Sequence, residues 1–292
     1  MIAELNKIIT FDNTDAHVHT HLCDGKPEMT VQNIAKVASE RGIKQVILTP
    51  HFHKSVSDGS TTLYDDSDQE IFVSLRNEIN ACDTDVKILL STEADILDID
   101  GHSSAATLSA NARDALDAVT LTLNYHPLLP LRCVEVTYSK CIEQIYESGY
   151  YAECEAAAGG TKRVLETMYE AQINALKRAD FAVIVGHFFA AHTNAVKNYS
   201  WFNAKKEHIN LMKEGASALV DECAKKDAVI DLTGIHLAGD TPEQKRLRDG
   251  FWFDFQCWFI DYARKKGVTL TCGSDAHSLR SVGDIGYYNF FK

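Results

Sequence analysis

Asp15-Ala16-His17-Val18-His19 near one end of the chain and Gly273-Ser274-Asp275-Ala276-His277 near the other decide the fold. Alternate side chains of an extended strand share a face, so His17 and His19 point the same way and can grip one ion together. Asp275 and His277 repeat the spacing. Working outward from these two stretches, short apolar, β-branched runs read as strands at Asp15–His19, Gln45–Thr49, Lys87–Ser91, Ala118–Leu123, Ala182–Val185, Val229–Leu232 and Thr269–Thr271. At or just beyond their carboxyl ends stand further ligand types: Asp24 in the loop after the first strand, His51 in Thr49-Pro50-His51, Glu93 in Ser91-Thr92-Glu93, His126 after Asn124-Tyr125, and His187 after Gly186.

Helical periodicity fills the intervals. Helices are expected at Thr30–Arg41 with Gly42 as the stop, Ser67–Ala81, Ser104–Ala115, Thr161–Arg178 and Lys205–Lys225. A last one is capped by Thr241-Pro242 and runs to about Lys266 before Gly267. Alternation of strand and helix along the chain predicts an α/β fold with parallel strands. Ligands carried by six of the seven strands meet only if the strands curl into a barrel, with the site at the carboxyl-terminal face. We therefore expect one domain over 1–292, with the long connection at about 125–180 as a helical elaboration.

Composition narrows the function classes. The chain has 292 residues, 45% of them hydrophobic and 24% charged, ordinary values for a globular protein with a full core. With 29 basic and 41 acidic residues the net charge is −12, a poor match for nucleic acid or anionic membranes. None of the 8 cysteines forms a C-x-x-C pair, and free thiols in a reducing cytoplasm are expected. No signal peptide and no spanning apolar run are read.

Imidazole mixed with carboxylate suits Zn²⁺, Mn²⁺ or Fe²⁺ better than Mg²⁺ or Ca²⁺. Nine such positions exceed what one ion takes, and a bridging glutamate would let three ions sit close together, a design for phosphoester cleavage. Cys23 and Cys272 near the same mouth read as inert thiols, and His21 and His53 as flanking residues. The aromatic stretch with Phe255, Trp258 and Phe259 reads as helix packing.

His17–Thr20 as H-x-H-T, Asp24–Gly25, Thr49–His51, Glu93, His126, Gly186–His187 and the closing Gly273–His277 followed by Val282-Gly283 together resemble the PHP family, named for polymerase and histidinol phosphatase. The match runs from about residue 14 to 286. The resemblance implies a distorted, TIM-like (β/α)7 barrel and a site for three divalent ions. It assigns His17, His19, Glu93 and Asp275 to the first ion. Glu93 would bridge to a second, held by His126 and His187, while Asp24, His51 and His277 would hold the third. Asp24 departs from members with histidine there. Val164–Phe188 is similar to the histidinol-phosphatase branch, whereas Thr49-Pro50-His51 is closer to the bacterial tyrosine-phosphatase branch.

The expected activity is hydrolysis of a small phosphomonoester, L-histidinol phosphate first, by a hydroxide bridging two ions. Arg132, Arg163 and Arg280 are the candidates for binding phosphate, and His236 for assisting the leaving group. Nucleotides or nucleic acid and phosphotyrosine are the rival substrates. A PHP module that only scaffolds a partner is the rival of another class. An amidohydrolase would need a lysine where Asn124-Tyr125-His126 stands.

Overall fold

Every strand pair in the structure, a computed structural model, is parallel. The structure describes residues 9, 13–23, 25–52, 69–124, 126–128, 150–188, 208–233 and 251–285. Strands β1 (Thr14–Val18), β2 (Gln45–Leu48) and β4 (Lys87–Leu90) form one sheet in the order β1-β2-β4. The second sheet runs β3 (His51–Phe52), β5 (Glu93–Asp95), β6 (Val119–Thr122), β7 (Val183–Val185), β8 (Val229–Asp231) and β9 (Leu270–Thr271) in that order.

The two sheets are joined where the chain steps from β2 into β3 and from β4 into β5. Pro50 lacks an N–H and interrupts regular pairing at the first step. The ladder is nevertheless carried across, by Ser91 N–H to the Leu48 carbonyl at 2.8 Å and Glu93 N–H to the Pro50 carbonyl at 2.9 Å. His51 and Glu93 thus open short strands of their own, where the sequence suggested residues just past strand ends. β1 also meets the far end of the second sheet through parallel bridges Asp15–Cys272 and Val18–Ala276.

Helices alternate with the strands: α1 (Val31–Glu40), α2 (Glu70–Ala81), α3 (Ala110–Ala115), α4 (Tyr150–Ala158), α5 (Thr161–Arg178), α6 (Ile209–Lys226) and α7 (Phe251–Lys265). α1 shows why these stretches are helical. The Thr30 hydroxyl accepts the Asn33 N–H at 3.3 Å, Val31, Ile34, Ala35 and Ala38 are buried on one face, and Gly42 at φ 75° ends the run. The single helix expected over Ser104–Ala115 is two pieces, a 3₁₀ turn at Ser104–Thr107 and α3. Ser109 caps α3 by accepting the Ala112 N–H at 3.3 Å, and Ser104 is drawn inward to the Phe52 carbonyl at 2.6 Å. These local side-chain bonds compete with a continuous helix.

Strand residues are buried on both faces. Val46 and Leu48 pack toward the helices, while Ile47 joins Ala16, Leu89, Ala118, Ile184 and Val229 in a separate apolar cluster. Near-continuous hydrophobic strands are what such two-sided burial requires. Within the connection at about 125–180, α5 matches the helix read at Thr161–Arg178 and α4 is a further helix; residues 125 and 129–149 lie outside the described set. Described cysteines 23, 82, 154, 223, 257 and 272 are free thiols. No helix among the described residues is long and apolar enough to cross a membrane.

Candidate metal centre

Glu93, at the head of β5 and 1% exposed, is the middle of the site. Its Oε2 lies 3.2 Å from His17 Nε2, 3.0 Å from His51 Nδ1 and 3.6 Å from His19 Nε2. Its Oε1 lies 3.3 Å from His187 Nε2 and accepts from the Asn124 amide at 2.9 Å. The two oxygens of one carboxylate therefore face different sets of imidazoles. Asp275 closes the group from the other side, its Oδ1 2.9 Å from His19 Nε2 and 3.8 Å from His17 Nε2. His277 stacks on His19 with ring centroids 4.0 Å apart.

Within this cluster, among the described residues, three triads have ligand atoms within 4.8 Å of one another: His17, His19 and Glu93; His17, His187 and Asp275; and His19, His51 and His277. His17 and His19 are fully buried, while the side chains of Asp275 and His277 are 43% and 42% exposed. The floor of the cluster is sealed and its rim is partly exposed.

The backbone holds this geometry under constraint. His187 and Asp275 sit at φ 35° and 53°, left-handed conformations that residues with a Cβ seldom adopt. Gly273 lies so close to β1 that a Cβ there would meet His17 Cβ at 2.4 Å. Asp15, which shares β1 with the two histidines, anchors the segment carrying Asp275. It accepts from the Ser274 N–H at 2.8 Å, the Ser274 hydroxyl at 2.7 Å and the Gly283 N–H at 2.7 Å. Burial raises the Asp15 carboxyl to about 6 against the pull of these donors.

Electrostatics fit a cation-demanding site. Burial alone would push the His17 imidazole down, yet the facing carboxylates of Asp231 and Glu93 hold it well above its ordinary value. Burial would raise Glu93, yet the charges of His51 and His187 pull it well below. Burial opposes ionisation of Asp275 too, and its bond to His19 with the neighbouring imidazoles lowers it. Burial lowers His187. The carboxylates keep their charge and draw positive charge to His17. Borderline nitrogen donors, hard oxygen donors and a demand for positive charge are what a divalent transition-metal ion satisfies.

The structure thus brings together His17, His19, His51, Glu93, His187, Asp275 and His277 from the sequence-derived set. It does not bring His126 to them. That ring turns to α5, with Nε2 3.1 Å from the Val164 carbonyl and Nδ1 accepting the Leu128 N–H at 3.2 Å. Asp24, Arg132 and His236 lie outside the described residues. Arg163, expected as a phosphate contact, is engaged along its own helix with Glu166 at 3.6 Å and Glu170 at 3.2 Å. Arg280 is exposed, in the segment that follows His277.

Sequence reasoning passed over Asp15, Asn124 and Asp231. Asn124 donates to Glu93 and to buried Asp95 at 3.0 Å; Asp231 faces His17 Nδ1 at 3.5 Å. The available signal was their position: each lies within two residues of a ligand or at a strand's carboxyl end.

No family model and no curated protein sequence matches the chain. Solved structures do match it. One is histidinol phosphate phosphatase (HisK) from Lactococcus lactis subsp. lactis, complexed with zinc, L-histidinol and phosphate, at 14% identity and TM-score 0.52, covering 96% of this chain and 93% of that one. Another, HisK from Listeria monocytogenes and named for histidinol phosphatase, aligns at 15% identity and TM-score 0.61, covering 95% and 99%. The chain shares with these HisK structures an α/β fold of parallel sheets flanked by helices.

Proposed function

We propose that the chain is a metal-dependent phosphomonoesterase of the PHP type, built on a distorted (β/α)7 barrel with its site at the carboxyl-terminal face. The barrel reading is supported by the bridges from β1 to the 272–276 segment and by the inner apolar cluster drawn from successive strands. One observation carries the functional reading: Glu93 presents its two oxygens to separate sets of imidazoles, as a ligand bridging neighbouring ions must. His17, His19, Glu93 and Asp275 would hold one ion, Glu93 and His187 a second, and His51 with His277 a third. Asp24 and His126 are the ligands the family resemblance adds.

Bound divalent ions would supply Lewis acidity toward phosphate oxygens and lower the pKa of water to about 7. The protein's own residues do the rest. Glu93 fixes the spacing of the ligand sets, the sealed floor keeps bulk water from His17 and His19, and the open rim at Asp275 and His277 admits the phosphate. Arg280 is the phosphate contact and His236 the residue that aids departure of the alcohol.

A small phosphomonoester is the substrate, with L-histidinol phosphate first; the HisK structures that share the fold support that order. Phosphate release should be measured with Zn²⁺ or Mn²⁺ added, on histidinol phosphate, nucleotides, sugar phosphates, phosphotyrosine and p-nitrophenyl phosphate. A preference for histidinol phosphate of at least about tenfold in kcat/KM, some 1.4 kcal/mol in the transition state, is expected. Undiminished hydrolysis after chelation would sink metal dependence. Metal bound without any hydrolysis would favour a scaffold module.

A further inference from the structure

The end of β8 places a carboxylate behind the cluster that neither spacing nor the family resemblance assigns. Asp231 is fully buried. Its Oδ1 is committed to Thr233, accepting the N–H at 3.0 Å and the hydroxyl at 2.6 Å. That pair of bonds fixes the plane of the carboxylate and turns Oδ2 toward the site. There Oδ2 faces His17 Nδ1 at 3.5 Å and the backbone N–H of His187 at 3.5 Å. We propose that Asp231 is a positioning residue, setting the ring orientation and proton position of His17 and supporting the strained turn at His187. The proposal rests on the metal-centre reading above.

The argument is one of geometry. His17 has two ring nitrogens, and Nε2 faces the Glu93 and Asp275 carboxylates at 3.2 and 3.8 Å. An imidazole that binds an ion through Nε2 carries its proton on Nδ1. Nδ1 of His17 is sealed from solvent, and the acceptor placed before it is Asp231. Without Asp231, binding an ion through Nε2 would leave a buried N–H without an acceptor, a cost charged against metal affinity. The same oxygen also meets the His187 N–H, where the backbone is left-handed, and the two rings stack with centroids 4.5 Å apart. One carboxylate therefore supports two neighbouring ligands.

The test measures Zn²⁺ affinity of the full chain by competition with a chromophoric chelator. Asp231→Ala should weaken Zn²⁺ binding by about 10–100-fold. Asp231→Asn keeps one acceptor oxygen where the carboxylate uses two, one for Thr233 and one for Nδ1, so it too should bind Zn²⁺ more weakly than the parent. In the Zn²⁺-loaded parent, ¹⁵N-histidine NMR should show His17 as the Nδ1–H tautomer with a slowly exchanging proton, and that signal should disappear in Asp231→Ala. If Asp231→Ala fails to fold, Thr233→Val replaces it, with a severalfold loss of affinity expected. Unchanged affinity and tautomer in Asp231→Ala, or in Thr233→Val where it stands in, overturn the proposal. Phosphate release by the parent is followed in parallel. A parent that binds Zn²⁺ but hydrolyses nothing refutes the phosphatase reading and leaves the role of Asp231 standing.

Discussion

Replacing Glu93 by Gln removes one negative charge and turns one of its two oxygens into a nitrogen donor. The imidazoles of His17, His51 and His187 around it would lose their shared acceptor. We expect Glu93→Gln to lower hydrolysis by at least about 100-fold and to reduce metal content per chain, checked by phosphate release and elemental analysis. His126 makes a prediction about pH. Burial holds it down to about 4, so between its unfolded value near 6.5 and about 4 the unfolded chain binds a proton that the native chain refuses. Its contribution to stability is complete above 6.5 and is lost as pH falls. Between pH 7 and 5 that loss is roughly 2 kcal/mol. Urea unfolding should show a steeper decline over that interval for the parent than for His126→Gln. The clustering of His17 and His19 was legible because histidines two apart on a strand announce a shared face. Asn124, Asp15 and Asp231 were not, because a hydrogen bond to a ligand imposes no spacing in sequence. The turning of His126 toward Val164 depends on where α5 docks, which no local pattern specifies.

At the scale of elements, the strands and most helices follow from periodicity, and the departures have local causes. Beyond Pro50, where the strand reads as ended, His51-Phe52 pair again as β3, and Ser109 divides what reads as one helix. Packing between α5 and α6 was not visible in either helix alone. A Cβ at Gly215 of α6 would come within 2.2 Å of the Tyr169 ring on α5. Alanine would improve helix propensity by up to about 1 kcal/mol, yet crowding a buried aromatic ring costs more. Gly215→Ala should therefore destabilise the protein by about 1–3 kcal/mol in urea unfolding. The paired variant Gly215→Ala with Tyr169→Leu should recover part of that loss.

For the molecule as a whole, an ion that binds only the assembled centre must stabilise the fold by mass action. A free concentration 100 times the dissociation constant adds about 2.7 kcal/mol. Thermal unfolding followed against Zn²⁺ concentration should show a midpoint that climbs with added metal and falls back with a chelator. A midpoint indifferent to metal would contradict the centre. The architecture that makes this coupling possible also orders events in time. His19 and Asp275 meet across 256 positions of sequence, and the Asp15 anchor to Gly283 spans 268. Contacts so distant form late, after the loop between them has been closed at full entropic cost. A chain still emerging from the ribosome thus has His17, His19, His51 and Glu93 without Asp275 and His277. An ion shared by the whole cluster would therefore be secured only when the last strand docks and brings Asp275 and His277 onto the earlier residues.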